Sequence, residues 1–149
     1  MTRAELEHII RAAASISGDD EIMIFGSQSI LGQFPDAPAS MRRSIEADVW
    51  PRNRPERWDL IDGSIGEGSM FHETFGYYAQ GIEERTATLP EGWQTRLIAI
   101  SNANTRGATG WALEVHDLLI AKIVAGRDKD LAFALEAGRH GLAHGPVLL

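Results

Sequence analysis

The stretch Ile22-Met23-Ile24-Phe25-Gly26-Ser27-Gln28-Ser29-Ile30-Leu31 decides how this chain is read. Four apolar residues ending at a glycine form the pattern of a short buried strand. Gly26-Ser27 then leads into Ile30, Leu31 and Phe34, whose spacing predicts a helix ended by Pro35-Asp36-Ala37-Pro38. Glycine at such a junction lets a ligand approach the backbone closely. The free N–H groups of a helix start and the Ser27 hydroxyl would suit a phosphate. Without a ligand, the same residues are a turn with a helix cap.

Working outward, Thr2-Arg3-Ala4-Glu5 has the form of a capping box. Leu6, Ile9, Ile10, Ala13 and Ile16 follow at helical spacing, so a first helix should run to about Ser15–Ser17 and stop at Gly18-Asp19-Asp20. On the other side, Ile45-Glu46-Ala47-Asp48-Val49-Trp50 alternates apolar and acidic residues, the period of a strand. Glu46 and Asp48 therefore project from one face, within reach of one hard cation. A pair of acids on alternate strand positions is ordinarily a solvated edge. Here the apolar flanks Ile45, Ala47, Val49 and Trp50 hold the strand inside the domain and turn the acids toward a cleft.

Further on, Pro55–Ile65 reads as a helix and residues 70–75 carry no decisive period. Tyr77–Ile82, Arg85–Leu89 and Arg96–Ile100 read as strands, Asn102–Gly110 as a polar loop, and Trp111–Val115 as extended. Asp117–Ala125 and Asp128–Gly138 read as two helices broken at Gly126. The expected architecture is α+β: a mixed sheet flanked by helices, with a C-terminal helical segment, residues 1–149 forming one domain.

Composition narrows the function classes. The chain has 149 residues, 44% hydrophobic and 23% charged, with a formal charge of −7. Such acidity argues against charge-driven coating of nucleic acid. The absence of cysteine excludes disulfides, thiolate metal sites and cysteine nucleophiles, and fits a cytoplasmic location. No apolar run nears the ~20 residues of a membrane-spanning helix. The cations are uneven: Arg42, Arg43, Arg52, Arg54 and Arg57 fall within 16 residues, and the two lysines, Lys122 and Lys129, lie near the other end. There Asp117, Lys122, Arg127, Lys129 and Asp130 gather on the late helical segment, where a lysine can hold a phosphate as a point charge. Read structurally, residues 127–130 are a charged helix start.

In order, Gly26-Ser27-Gln28-Ser29-Ile30-Leu31, Glu46-Ala47-Asp48-Val49, and His116-Asp117-Leu118-Leu119-Ile120-Ala121-Lys122 with Gly126-Arg127-Asp128-Lys129-Asp130 resemble the nucleotidyltransferase (polymerase beta-like) superfamily. The likeness spans roughly residues 20 to 135. It is nearest to small bacterial nucleotidyltransferase-like proteins of unknown function related to the AbiEii and MenA toxin group. The resemblance implies phosphate contact by Gly26 and Ser27, and Mg2+ held by Glu46 and Asp48. It also implies a nucleotide contact by Lys122 supported by Asp130. Arg57, from the arginine cluster flanking the acidic strand, is expected to meet an incoming triphosphate or RNA backbone. Glu46 stands where the family usually shows aspartate, eighteen residues separate Ser27 from Glu46, and no third carboxylate is identifiable.

The implied function is metal-dependent transfer of a nucleotide from a nucleoside triphosphate to an RNA or protein acceptor. A role within a toxin–antitoxin or defence pair would bring a partner protein. The alternatives are a catalytically degenerate regulator that binds nucleotide or a partner, and a structural interaction domain. His140 and His144 have the spacing of a helical zinc pair but are set among glycines. His72 and Glu73 read as an acid–base pair or a polar patch on an aromatic loop. Trp50, Trp58, Trp93 and Trp111 are scattered as packing residues are.

Overall fold

A computed structural model describes residues 1–84 and 88–144. Helix α1 (Arg3–Ser17) begins at the expected capping box: the Thr2 hydroxyl accepts from Glu5 N at 3.2 Å, and the Glu5 carboxylate accepts from Thr2 N at 2.8 Å. Gly18 ends it in the left-handed conformation. Then come β1 (Glu21–Phe25), α2 (Ile30–Gln33), β2 (Glu46–Pro51), α3 (Trp58–Ile65), α4 (Met70–Phe75) and β3 (Tyr78–Gly81). The remaining elements are β4 (Ile98–Ile100), β5 (Thr109–Ala112), α5 (Val115–Ala125) and α6 (Asp128–Arg139). This is the expected α+β class. The strand read over Arg85–Leu89 falls on positions 85–87, outside the described residues.

The strands form one mixed sheet in the order β3-β2-β1-β5-β4. β1 runs antiparallel to β2 and parallel to β5, β2 runs parallel to β3, and β4 runs antiparallel to β5. On one face, Ile22, Ile24, Ala47, Val49 and Ala79 are buried beneath α1 and α3. Helix α1 lies so close that a Cβ on Gly110 of β5 would stand 2.4 Å from Ile10 Cδ1. The strands pack so tightly because their inward residues are small or β-branched.

The register places the functional candidates. Phe25 pairs with Asp48, Asp48 with Gln80, and Glu46 with Tyr78. Side chains alternate across a sheet, so these residues share the face opposite α1. There Phe25 packs on Trp50 with ring centroids 4.3 Å apart and meets Trp93 edge-on at 5.5 Å. The scattered tryptophans include two that join this aromatic layer. Trp111 instead donates to Glu21 at 3.0 Å beneath the Arg52 guanidinium.

One expectation is corrected in the segment after β1. The helix read from Ser27 to Phe34 is a 3-10 turn over Ser27–Ser29 followed by a single helical turn, Ile30–Gln33. The Ser29 hydroxyl donates to Ile24 O at 2.9 Å, tying this turn to the end of β1. So short an element has little macrodipole, and any anion here must rely on side chains.

Candidate functional site

β1 ends by opening onto a cleft of about 870 Å³ lined by Gly26, Ser27, Glu46, Asp48, Lys122 and Asp130 among others. Glu46 and Asp48 come from the start of β2, which lies beside the end of β1 because the two strands are antiparallel. Lys122 and Asp130 come from α5 and α6, which close the opposite side. Residues drawn from both ends of the sequence thus meet in one place.

Gly26 sets the narrowest point. Its φ of +69° and ψ of −167° lie in a region that only glycine adopts freely. A Cβ there would stand 2.7 Å from Asp48 Oδ2. The Asp48 carboxylate therefore lies directly against the turn backbone. Burial, and then the neighbouring charge of Glu46, push its pKa up to about 6, with Lys122, Lys129 and Arg127 acting the other way.

Lys122 is the hub of the opposite wall. Its Nζ donates to Ser27 Oγ at 2.7 Å and lies 3.4 Å from Asp130 Oδ1. It also sits 5.2 Å from the centroid of the Phe133 ring. Burial lowers its pKa, opposed by the charge and hydrogen bond of Asp130. Asp130 is wholly buried, and Arg127 Nε donates to its Oδ2 at 2.6 Å. Burial alone would favour a neutral Asp130; Arg127 and Lys122 outweigh that and hold the carboxyl below its usual range.

Other expected site residues lie elsewhere. Arg57 is not brought to the cleft: its Nη1 donates to Ser17 O at 2.7 Å and closes the end of α1. The five arginines are split by β2, with Arg43 at the cleft and Arg52 and Arg57 beyond the strand's far end. Asp117 does not orient Lys122. It is buried and receives two hydrogen bonds of 2.8 Å from Arg96, tying α5 to the segment before β4. His140 caps α6 and contacts Glu136, while His144 N donates to His116 Nε2. His72 lies on α4 with its ring 4.6 Å from that of Tyr78.

Four further residues complete the cleft or its wall: Arg43 and Lys129, which the sequence singled out within charged clusters, and Tyr78 and Gln80, which it did not. Arg43 and Lys129 line it without a hydrogen-bond or ion-pair partner among the described residues. Gln80 lies beside Asp48 in register, and Tyr78 donates its hydroxyl to Glu46 Oε2 at 2.8 Å. The alternation of Tyr78 and Gln80 was visible in the sequence, but their alignment with Glu46 and Asp48 depends on parallel pairing across 32 residues.

Residues 4–138 match the model of a family described as nucleotidyltransferase of unknown function (DUF6036). The chain belongs to this family. No curated protein matches it, and no solved structure does. No helix among the described residues of this nucleotidyltransferase-family chain is long and apolar enough to cross a membrane.

The cleft fits the divalent cation that the family resemblance implies. Two carboxylates on one strand face, one of them partly desolvated against a glycine backbone, form a hard oxygen donor set. Among the described residues, no group of three acidic or histidine side chains converges. Mg2+ commonly takes one or two carboxylates and completes its shell with water and substrate phosphate, so a pair suffices.

Proposed function

We propose that this protein is a metal-dependent nucleotidyltransferase that moves a nucleotidyl group from a nucleoside triphosphate to a hydroxyl of an RNA or protein acceptor. The observation that carries the reading is the meeting of Ser27, Lys122, Glu46 and Asp48 in one cleft. Phosphoryl chemistry asks little covalent work of a protein; it needs positioned cations and oxygen ligands around the phosphates.

Glu46 and Asp48 would hold Mg2+, which supplies charge neutralisation on the phosphates when bound. The Ser27 hydroxyl and Lys122 Nζ, now bonded to each other, are both placed to turn to phosphate oxygens. The Gly26 backbone leaves room for that approach. Asp130 keeps Lys122 charged and in position despite its burial. Arg43 and Lys129 supply further positive charge at the rim for the displaced phosphates. Pairing with a toxin–antitoxin or defence partner, suggested by the resemblance to the AbiEii and MenA group, belongs to the same reading.

A pair of carboxylates without a third converging among the described residues also suits the alternative, a nucleotide-binding regulator that does not transfer. Incubation with each α-labelled nucleoside triphosphate, Mg2+ and a panel of RNA and protein acceptors separates the two. Labelled acceptor above a metal-free control is the expected result. Binding without label transfer on any acceptor would favour the regulator.

A further inference from the structure

We propose that Tyr78 is the positioning residue for Glu46, its hydroxyl fixing one carboxylate oxygen so that the other faces the cleft as a cation ligand. This rests on the reading of Glu46 and Asp48 as a cation-holding pair.

A glutamate in a ligand position has one more torsion to restrain than an aspartate, and a loose side chain loses rotamer entropy on binding. β3 supplies the restraint. Tyr78 is the parallel register partner of Glu46, and its backbone N donates to Ile45 O at 2.9 Å. Tyr78 is only 8% exposed, and its hydroxyl donates to Glu46 Oε2 at 2.8 Å. Behind it stands the His72 ring, itself held where Nδ1 accepts from Gly68 N at 3.0 Å. Tyr78 is thus packed against His72 and anchored by its backbone to β2, with Glu46 Oε2 as the acceptor at 2.8 Å. Glu67 is a second carboxylate that hydrogen-bonds the phenol, and unlike Glu46 it is exposed and does not line the cleft. Partners behind ligating carboxylates typically govern cation affinity by 10–100-fold.

The probe is Mn2+, titrated into wild type, Tyr78→Phe, Glu46→Gln and the double variant, with free Mn2+ read by its paramagnetic resonance signal. Tyr78→Phe should weaken Mn2+ binding at least ~10-fold while leaving the metal-free melting temperature near that of wild type. In the Glu46→Gln background the same change should have no further effect, since the hydroxyl then has no ligand to position. Tyr78→Met serves as a second hydroxyl-free variant should the phenylalanine variant not fold. Wild-type affinity in Tyr78→Phe, or an equal loss in both backgrounds, overturns the role of Tyr78 alone. A wild type that takes up no Mn2+ overturns the cation-pair reading and this proposal together.

Discussion

Lys122 Nζ and Ser27 Oγ, 95 residues apart in sequence, are joined by a 2.7 Å hydrogen bond across the mouth of the cleft. The bond ties α5 to the turn after β1 and holds the half-buried Lys122 ammonium in the cleft that also contains Glu46 and Asp48. Lys122→Met should therefore separate binding from stability. Nucleotide-dependent thermal stabilisation should disappear. The fold should lose roughly 1–3 kcal/mol, because Asp130 keeps Arg127 but is left with one buried partner fewer. Chemical denaturation and a nucleotide-dependent melting series measure both; unchanged nucleotide stabilisation would remove Lys122 from the site.

Asp48 links the site to pH. Its pKa stands at about 6 in the fold against 3.8 ordinarily, so between those values the folded protein holds a proton that the unfolded chain has released. The stability of metal-free protein therefore falls as pH rises from about 4 to about 6. Above that range the ionised group costs on the order of 1–3 kcal/mol. Asp48→Asn should melt several degrees above wild type near neutral pH without metal, and together with it near pH 4. Added Mg2+ and nucleotide should stabilise only the wild type. A variant that melts lower at every pH would make Asp48 a structural residue.

Gly26→Ala introduces two faults at once. The backbone conformation is strained for any L-residue by ~1–3 kcal/mol, and the new Cβ meets Asp48 Oδ2. A clear fall in melting temperature and loss of the Mg2+-dependent nucleotide response are expected. Adding Asp48→Ala should recover the steric part of the stability and none of the response. Full recovery would show that backbone strain at Gly26 matters little.

Arg57→Ala tests the corrected placement. The guanidinium closes α1 at Ser17 O, away from the cleft. The variant should lose ~0.5–1.5 kcal/mol with nucleotide affinity and its Mg2+ dependence intact. A selective loss of affinity would return Arg57 to the site.

Much of the scaffold was legible because it is locally encoded. Thr2 and Glu5 satisfy each other's backbone donors within one turn, so the start of α1 could be read directly. Glu46 and Asp48 share a strand face by the period of the backbone, whatever lies opposite. The helix expected through Ile30 and Leu31 is present over Ile30–Gln33, but its first turn, Ser27–Ser29, is 3-10, a distinction that apolar spacing does not reveal. The meeting of Ser27 with Lys122 was anticipated from a family resemblance; no local pattern links them.

By itself, then, the sequence determined the alternation of strands and helices, the acidic strand face and the absence of cysteine chemistry, since these depend on composition and short periods. Tertiary structure alone decided which charges meet. Arg57 and Asp117 carry the right chemistry for the site and are taken up by Ser17 and Arg96, whereas Tyr78 and Gln80 reach it through parallel pairing of β2 and β3. The physical reason is that a side chain's partner depends on which surfaces long-range packing brings within about 3 Å, a distance set by the whole fold.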